Sequence, residues 1–117
     1  MNKTIPIVNI PEYNGAAVYA LVDKDGKRYI GSTLHLKSRI KQHISLMRTV
    51  YKYGPNGWVN PKITKALLDG VVFQCEVLAM INSDISKHEL EEIERVFVKH
   101  YSDIGDTYNC KPLKCKV

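Results

Sequence analysis

No stretch of this sequence is long and apolar enough to enter a membrane. The nearest candidate, from Ile5 to Ile10, is broken by Pro6 and Asn9 and is too short for a signal-peptide core or a spanning helix. A soluble intracellular protein with no membrane partner is therefore expected, cytoplasmic in its own cell or, if viral, in the host's. Cysteine is scarce as well: Cys75, Cys110 and Cys115 are an odd three, with no Cys-x-x-Cys and no histidine at metal-ligand spacing. That excludes a disulfide scaffold and a zinc knuckle, and predicts reduced thiols. Only 7 glycines and 5 prolines in 117 residues exclude fibrous and low-complexity chains. Acidic residues fall short of basic ones, 12 against 17, leaving a net charge of +5 and an isoelectric point near 9.1.

That imbalance favours polyanionic partners, with nucleic acid first among them, through Coulomb attraction and counterion release. The length suits one compact domain with one core, expected over residues 16–117 behind an N-terminal arm of residues 1–15. Ala16 to Val22 and Arg28 to Gly31 read as two strands joined by the turn residues Asp23-Lys24-Asp25-Gly26. Leu36, Ile40, Ile44 and Met47 recur at helical spacing and predict a helix from about His35 to Arg48. Residues 49–60 read as a loop, after which Asn60-Pro61 opens a short helix ending near Gly70. Val71 to Leu78 suits a central strand, and Ser86 with Glu89 forms a capping box that opens a helix to about Tyr101. The expected fold is α+β in the order ββααβα, with a central three-stranded, mostly antiparallel sheet flanked by helices.

On a helical wheel of the last helix, Leu90, Ile93, Phe97, Val98 and Tyr101 form one stripe, and Glu94 lies inside it. A carboxylate there costs several kcal/mol unless compensated. The compensator is either a metal ion or a buried cation such as Arg39. Arg39 and His43, four apart, border the apolar stripe of the first helix and project the same way. Lys37, Lys41 and Arg48 occupy an outward ridge that could steer phosphate. Lys52 and Trp58, in the 49–60 segment, either contact nucleic acid or pack on the second helix. Tyr19 and Tyr29 stand on adjacent strands of the hairpin, and Gly31 ends the second strand where backbone can approach another group closely.

These residues together resemble the GIY-YIG nuclease superfamily. Ala17-Val18-Tyr19, nine residues, then Tyr29-Ile30-Gly31-Ser32-Thr33 with Leu36, Arg39 and His43 match its opening motifs, although Ala17 replaces the first glycine. Glu94 to Val98 and Tyr108-Asn109 match its glutamate helix and terminal Tyr-Asn. The stretch from Asn60 to the Glu94 helix is most similar to phage and intron homing-type members, whose catalytic domain is followed by a separate DNA-binding region; with only eight residues after Asn109 here, limited sequence-specific reading is expected.

The resemblance implies a DNA endonuclease whose catalytic residues are Tyr19, Tyr29, Arg39, His43 and Glu94, with a homodimer as one route to double-strand cleavage. Glu94 would hold one Mg²⁺ or Mn²⁺ and Arg39 the phosphate, while Gly31 and Asn109 give structural support. A free tyrosine titrates near ~10, so Tyr19 as general base needs a depression of roughly 3 units, about 4 kcal/mol. His43 as base needs less tuning, and the choice stays open. A catalytically silent nucleic-acid-binding module that keeps the fold is the alternative.

Overall fold

A computed structural model describes residues 5–109. Cys110, Cys115 and the first four residues of the expected arm lie outside them. Cys75 carries a free thiol that burial pushes up to about 11. The chain order is β1 (Ile7–Val8), β2 (Ala17–Val22), β3 (Arg28–Thr33), α1 (Leu36–Tyr53), α2 (Pro61–Leu68), β4 (Phe73–Met80) and α3 (Lys87–Ile104).

The α+β expectation holds, with a correction to the strand count. The sheet has four strands in the order β1-β4-β2-β3, because Ile7 and Val8 leave the expected arm to pair in parallel with Phe73 and Gln74. The amide of Phe73 donates to the carbonyl of Pro6 at 2.8 Å, and Ile7 is fully buried, so burial and pairing fix this short edge. The β2–β3 and β2–β4 pairs are antiparallel.

The hairpin turn follows from its residues. Asp23 Oδ1 accepts from the amides of Asp25 and Lys27 at 2.8 and 2.9 Å, and Gly26 takes φ of +85°, a conformation side chains resist.

β2 is buried from Ala17 to Leu21 because helices cover both faces of the sheet. Alternation sends Ala17, Tyr19 and Leu21 to one face, where they share a core with Leu36, Ile40 and Met47 of α1 and Ile63 and Leu67 of α2. Val18, Ala20 and Ile30 face the other way and pack with Leu90, Ile93, Phe97 and Val98 of α3. α1 runs on to Tyr53, five residues past the expected end, because buried Val50 continues the stripe of Met47; the loop begins only at Gly54, with φ of +81°. α3 likewise reaches Ile104, while its N-terminus carries the predicted capping box of Ser86 and Glu89.

Candidate active site

The polar residues of interest gather around β3 and the start of α1. On the α1 face, Tyr19 and Gly31 are direct cross-strand partners, and the tyrosine ring lies across the glycine. A Cβ at Gly31 would stand 2.5 Å from the Tyr19 hydroxyl and 2.6 Å from the ring carbon bearing it, so only glycine leaves this ring its place. That hydroxyl lies 2.7 Å from His43 Nε2, and the rings of Tyr19 and Tyr29 both meet the His43 ring edge to face. Tyr19 is only 1% exposed.

Burial dominates the protonation of this group. It raises Tyr19 above its ordinary value, and the neighbouring Tyr29 adds to the rise, while the charge and hydrogen bonding of Arg39 pull it back down. Burial, reinforced by Arg39, lowers His43 to about 4. His43 is therefore neutral at pH 7. The Arg39 charge acts on both groups in one electrostatic sense, favouring a phenolate at Tyr19 and opposing an imidazolium at His43.

Glu94 approaches from the opposite face of the sheet on α3. The Ser32 hydroxyl donates to Glu94 Oε1 at 2.5 Å. Burial raises the Glu94 carboxyl above the usual range and nearby Glu91 adds to this, whereas the Ser32 bond, Arg95 and Arg39 oppose it. Among the described residues Glu94 makes no ion pair, and the Arg39 guanidinium donates instead to Gln42 Oε1 at 2.7 Å. The buried Glu94–Arg39 pair that the sequence allowed is thus not formed.

Arg39 stands where three depressions meet. A cleft of about 500 Å³ is bounded by Ser32, His35, Arg39, Lys87, Glu91 and Glu94. A second, of about 120 Å³, is lined by Tyr29, Arg39, His43, Trp58 and Asn60. A groove of about 530 Å³ runs past Ser38, Arg39, Lys41, Gln42 and Ser45. The five residues singled out from the sequence are therefore distributed around one edge of the sheet, with Arg39 between Glu94 and the tyrosine–histidine group. A further depression of about 680 Å³, between Ile81–Ile85 and α3, contains none of them.

The basic residues divide. Lys41 lines the groove beside Arg39, and Trp58 lines the small cleft. Lys37 instead pairs with Glu12 at 2.9 Å, Lys52 lies over the Tyr53 ring at 5.3 Å, and Arg48 is exposed; none of these three lines a cleft at Arg39.

Asn109 has a definite structural position. Its side-chain amide donates to the carbonyl of Ile30 at 2.9 Å and its oxygen accepts from the Ile30 amide at 2.8 Å, imitating a neighbouring strand along the free edge of β3. Tyr108 continues this seal, its amide donating to the Arg28 carbonyl and its hydroxyl to Asp23 Oδ2. The strand carrying Tyr29 and Gly31 is thereby fixed on both sides.

Reading the sequence missed Ser32, Lys87 and Gln42. Ser32 had a usable signal: two residues after Ile30 on the same strand, it shares the face that α3 covers. Lys87 and Gln42 have none, since their positions follow from how the helices dock. No group of three or more His, Cys, Asp or Glu among the described residues could hold a metal ion, so Glu94 would act with few protein ligands. No helix among them is long and apolar enough to cross a membrane.

A family model described as the GIY-YIG catalytic domain matches residues 15–109. No curated protein and no solved structure shows significant similarity to the chain.

Proposed function

The chain belongs to the GIY-YIG family of nuclease domains, and from that premise we propose that it is a divalent-metal-dependent DNA endonuclease using one metal ion held by Glu94. The observation that carries this reading is the state of Glu94: a half-buried carboxylate with no ion pair among the described residues, oriented by Ser32 and opening into a cleft it shares with Arg39 and Lys87. A hard cation that keeps most of its waters, binding through one carboxylate and substrate phosphate oxygens, suits this donor set better than a two-metal clamp. When bound, Mg²⁺ or Mn²⁺ would polarise the phosphate and offset its developing charge.

The chain's own groups account for the rest. Arg39, at the junction of the clefts, holds the scissile phosphate with its planar fork and stabilises the transition-state charge. Gln42 fixes one nitrogen of that fork. Lys87 and Lys41 draw the flanking backbone toward it.

For the general base we favour Tyr19, because the Arg39 charge favours its phenolate, against the burial that raises it, while opposing an imidazolium at His43. Neutral His43 then donates from Nε2 to the Tyr19 oxygen and holds it in place. His43 as base is the competing assignment.

One observation favours the alternative of a silent binding module. Burial leaves Tyr19 too weak an acid, and His43 too weak a base, for easy proton transfer at neutral pH. A single assay separates the readings: wild type and Glu94→Ala are incubated with supercoiled plasmid in Mg²⁺ or EDTA. Nicking or linearisation by wild type in Mg²⁺ alone supports the enzyme. Equal DNA retention by both proteins with no cleavage in either buffer rejects it.

A further inference from the structure

Trp58 is 65% exposed, a costly position for a large apolar ring with no ring partner among the described residues. It does not sit on a slack tip. Its amide donates to Asn56 Oδ1 at 2.9 Å, and the Asn56 amide donates to Thr49 of α1 at 2.9 Å. Two residues later Asn60 accepts from the amides of Lys62 and Ile63 at the start of α2 and donates to the Tyr108 carbonyl at 2.7 Å. Trp58 lines the small cleft whose other walls include Tyr29, Arg39 and His43.

That cleft is lined by apolar Met47, Val59 and Ile63 as well as by Tyr29, Arg39, His43 and Asn60. At about 120 Å³ it is smaller than the ~150 Å³ that admits a benzene ring. A base therefore lies against the exposed indole with only its edge in the cleft, and a stacked base pair does not fit. Arg39 lines both this cleft and the cleft of Glu94, so a base entering here belongs to a nucleotide beside the phosphate held for cleavage.

We infer that Trp58 and the cleft beneath it bind one unstacked nucleobase next to the scissile phosphate, so that the preferred substrate is DNA with an unpaired or readily extruded nucleotide at the cleavage position. Regular duplex must first lose a base from its stack, a cost that a bulge, flap or branch has already met. Stacking on an aromatic ring tolerates every base, so this selects substrate structure rather than sequence. The inference rests on the nuclease reading for the placement of the phosphate, but its test needs no cleavage.

Trp58 is the sole tryptophan of the chain, and its fluorescence reports on this cleft alone. The full chain is titrated in EDTA with a short DNA duplex carrying one unpaired nucleotide, with the same duplex fully paired, and with the bulged duplex made abasic at that nucleotide. Quenching and tighter binding with the unpaired base alone are expected. By retardation of labelled bulged DNA, Trp58→Ala should bind about 5- to 150-fold more weakly and Trp58→Phe should recover part of the loss. No quenching by the bulged duplex, equal quenching by the paired or abasic duplex, or unchanged affinity in Trp58→Ala overturns the inference. Failure of the plasmid assay with success here would reject the nuclease and keep the base-binding cleft.

Discussion

The partial burial of His43 beside Arg39 has a thermodynamic signature. Burial and Arg39 lower it from its ordinary 6.5 to about 4, so between those values the unfolded chain binds a proton that the folded chain refuses. Its stability contribution is complete above pH 6.5 and is lost as pH falls toward 4. At about 1.4 kcal/mol per unit, the whole window is worth about 3 kcal/mol, of which about 2 are gone by pH 5. Urea unfolding of wild type and His43→Gln at closely spaced pH values measures it. Glutamine keeps a polar group near the Tyr19 hydroxyl but cannot titrate, and every other ionisable group is common to both proteins. The difference in unfolding free energy between them should therefore shift by about 3 kcal/mol from pH 7 to pH 4, against wild type on acidification. Parallel curves would show that His43 takes up a proton as readily folded as unfolded, and the neutral Tyr19–His43 pair would have to be abandoned.

Gly31→Ala should destabilise by about 1–3 kcal/mol, read by thermal unfolding, because the new methyl displaces a tyrosine that has no room to move. It should also abolish cleavage, and full activity in this variant would contradict the role of Tyr19. Asn109→Ala strips both partners from the Ile30 backbone and should cost about 2–4 kcal/mol in urea unfolding, whereas a loss under ~0.5 would mean that water replaces the amide without penalty. Ser32→Ala removes the bond that favours the Glu94 carboxylate, so the acid limb of the cleavage pH profile should move to higher pH. A limb that stays in place or moves down would detach Glu94 from the rate.

The hairpin, the capped α3 and the covered strand β4 were legible because each is specified locally: turn residues, a capping box, a β-branched run. β1 was not, since two residues between Pro6 and Asn9 carry no period, and the strand exists only through pairing with Phe73, far along the chain. The extension of α1 was legible in principle, because Val50 follows Met47 at helical spacing before the Gly54 stop. In the site, Glu94 announced itself by interrupting an apolar stripe. Its partner Ser32 was legible only as a residue on the strand face that α3 covers, because the contact itself depends on α3 crossing the end of β3. The contact of Tyr19 with His43 joins a strand to a helix, so only the family pattern pointed to it. Gly31 shows the reverse relation: the reason a glycine is needed became physical only when the Tyr19 ring was found lying across it.

In the proposed mechanism one metal ion rests on Glu94, Arg39 holds the phosphate and Tyr19 takes the proton. Its most direct test is the initial rate of DNA cleavage against Mg²⁺ concentration for wild type and Glu94→Gln. A first-order rise with Mg²⁺ in wild type, nearly absent in Glu94→Gln, is predicted. A second-order rise, or wild-type cleavage by Glu94→Gln, would contradict the single metal on Glu94.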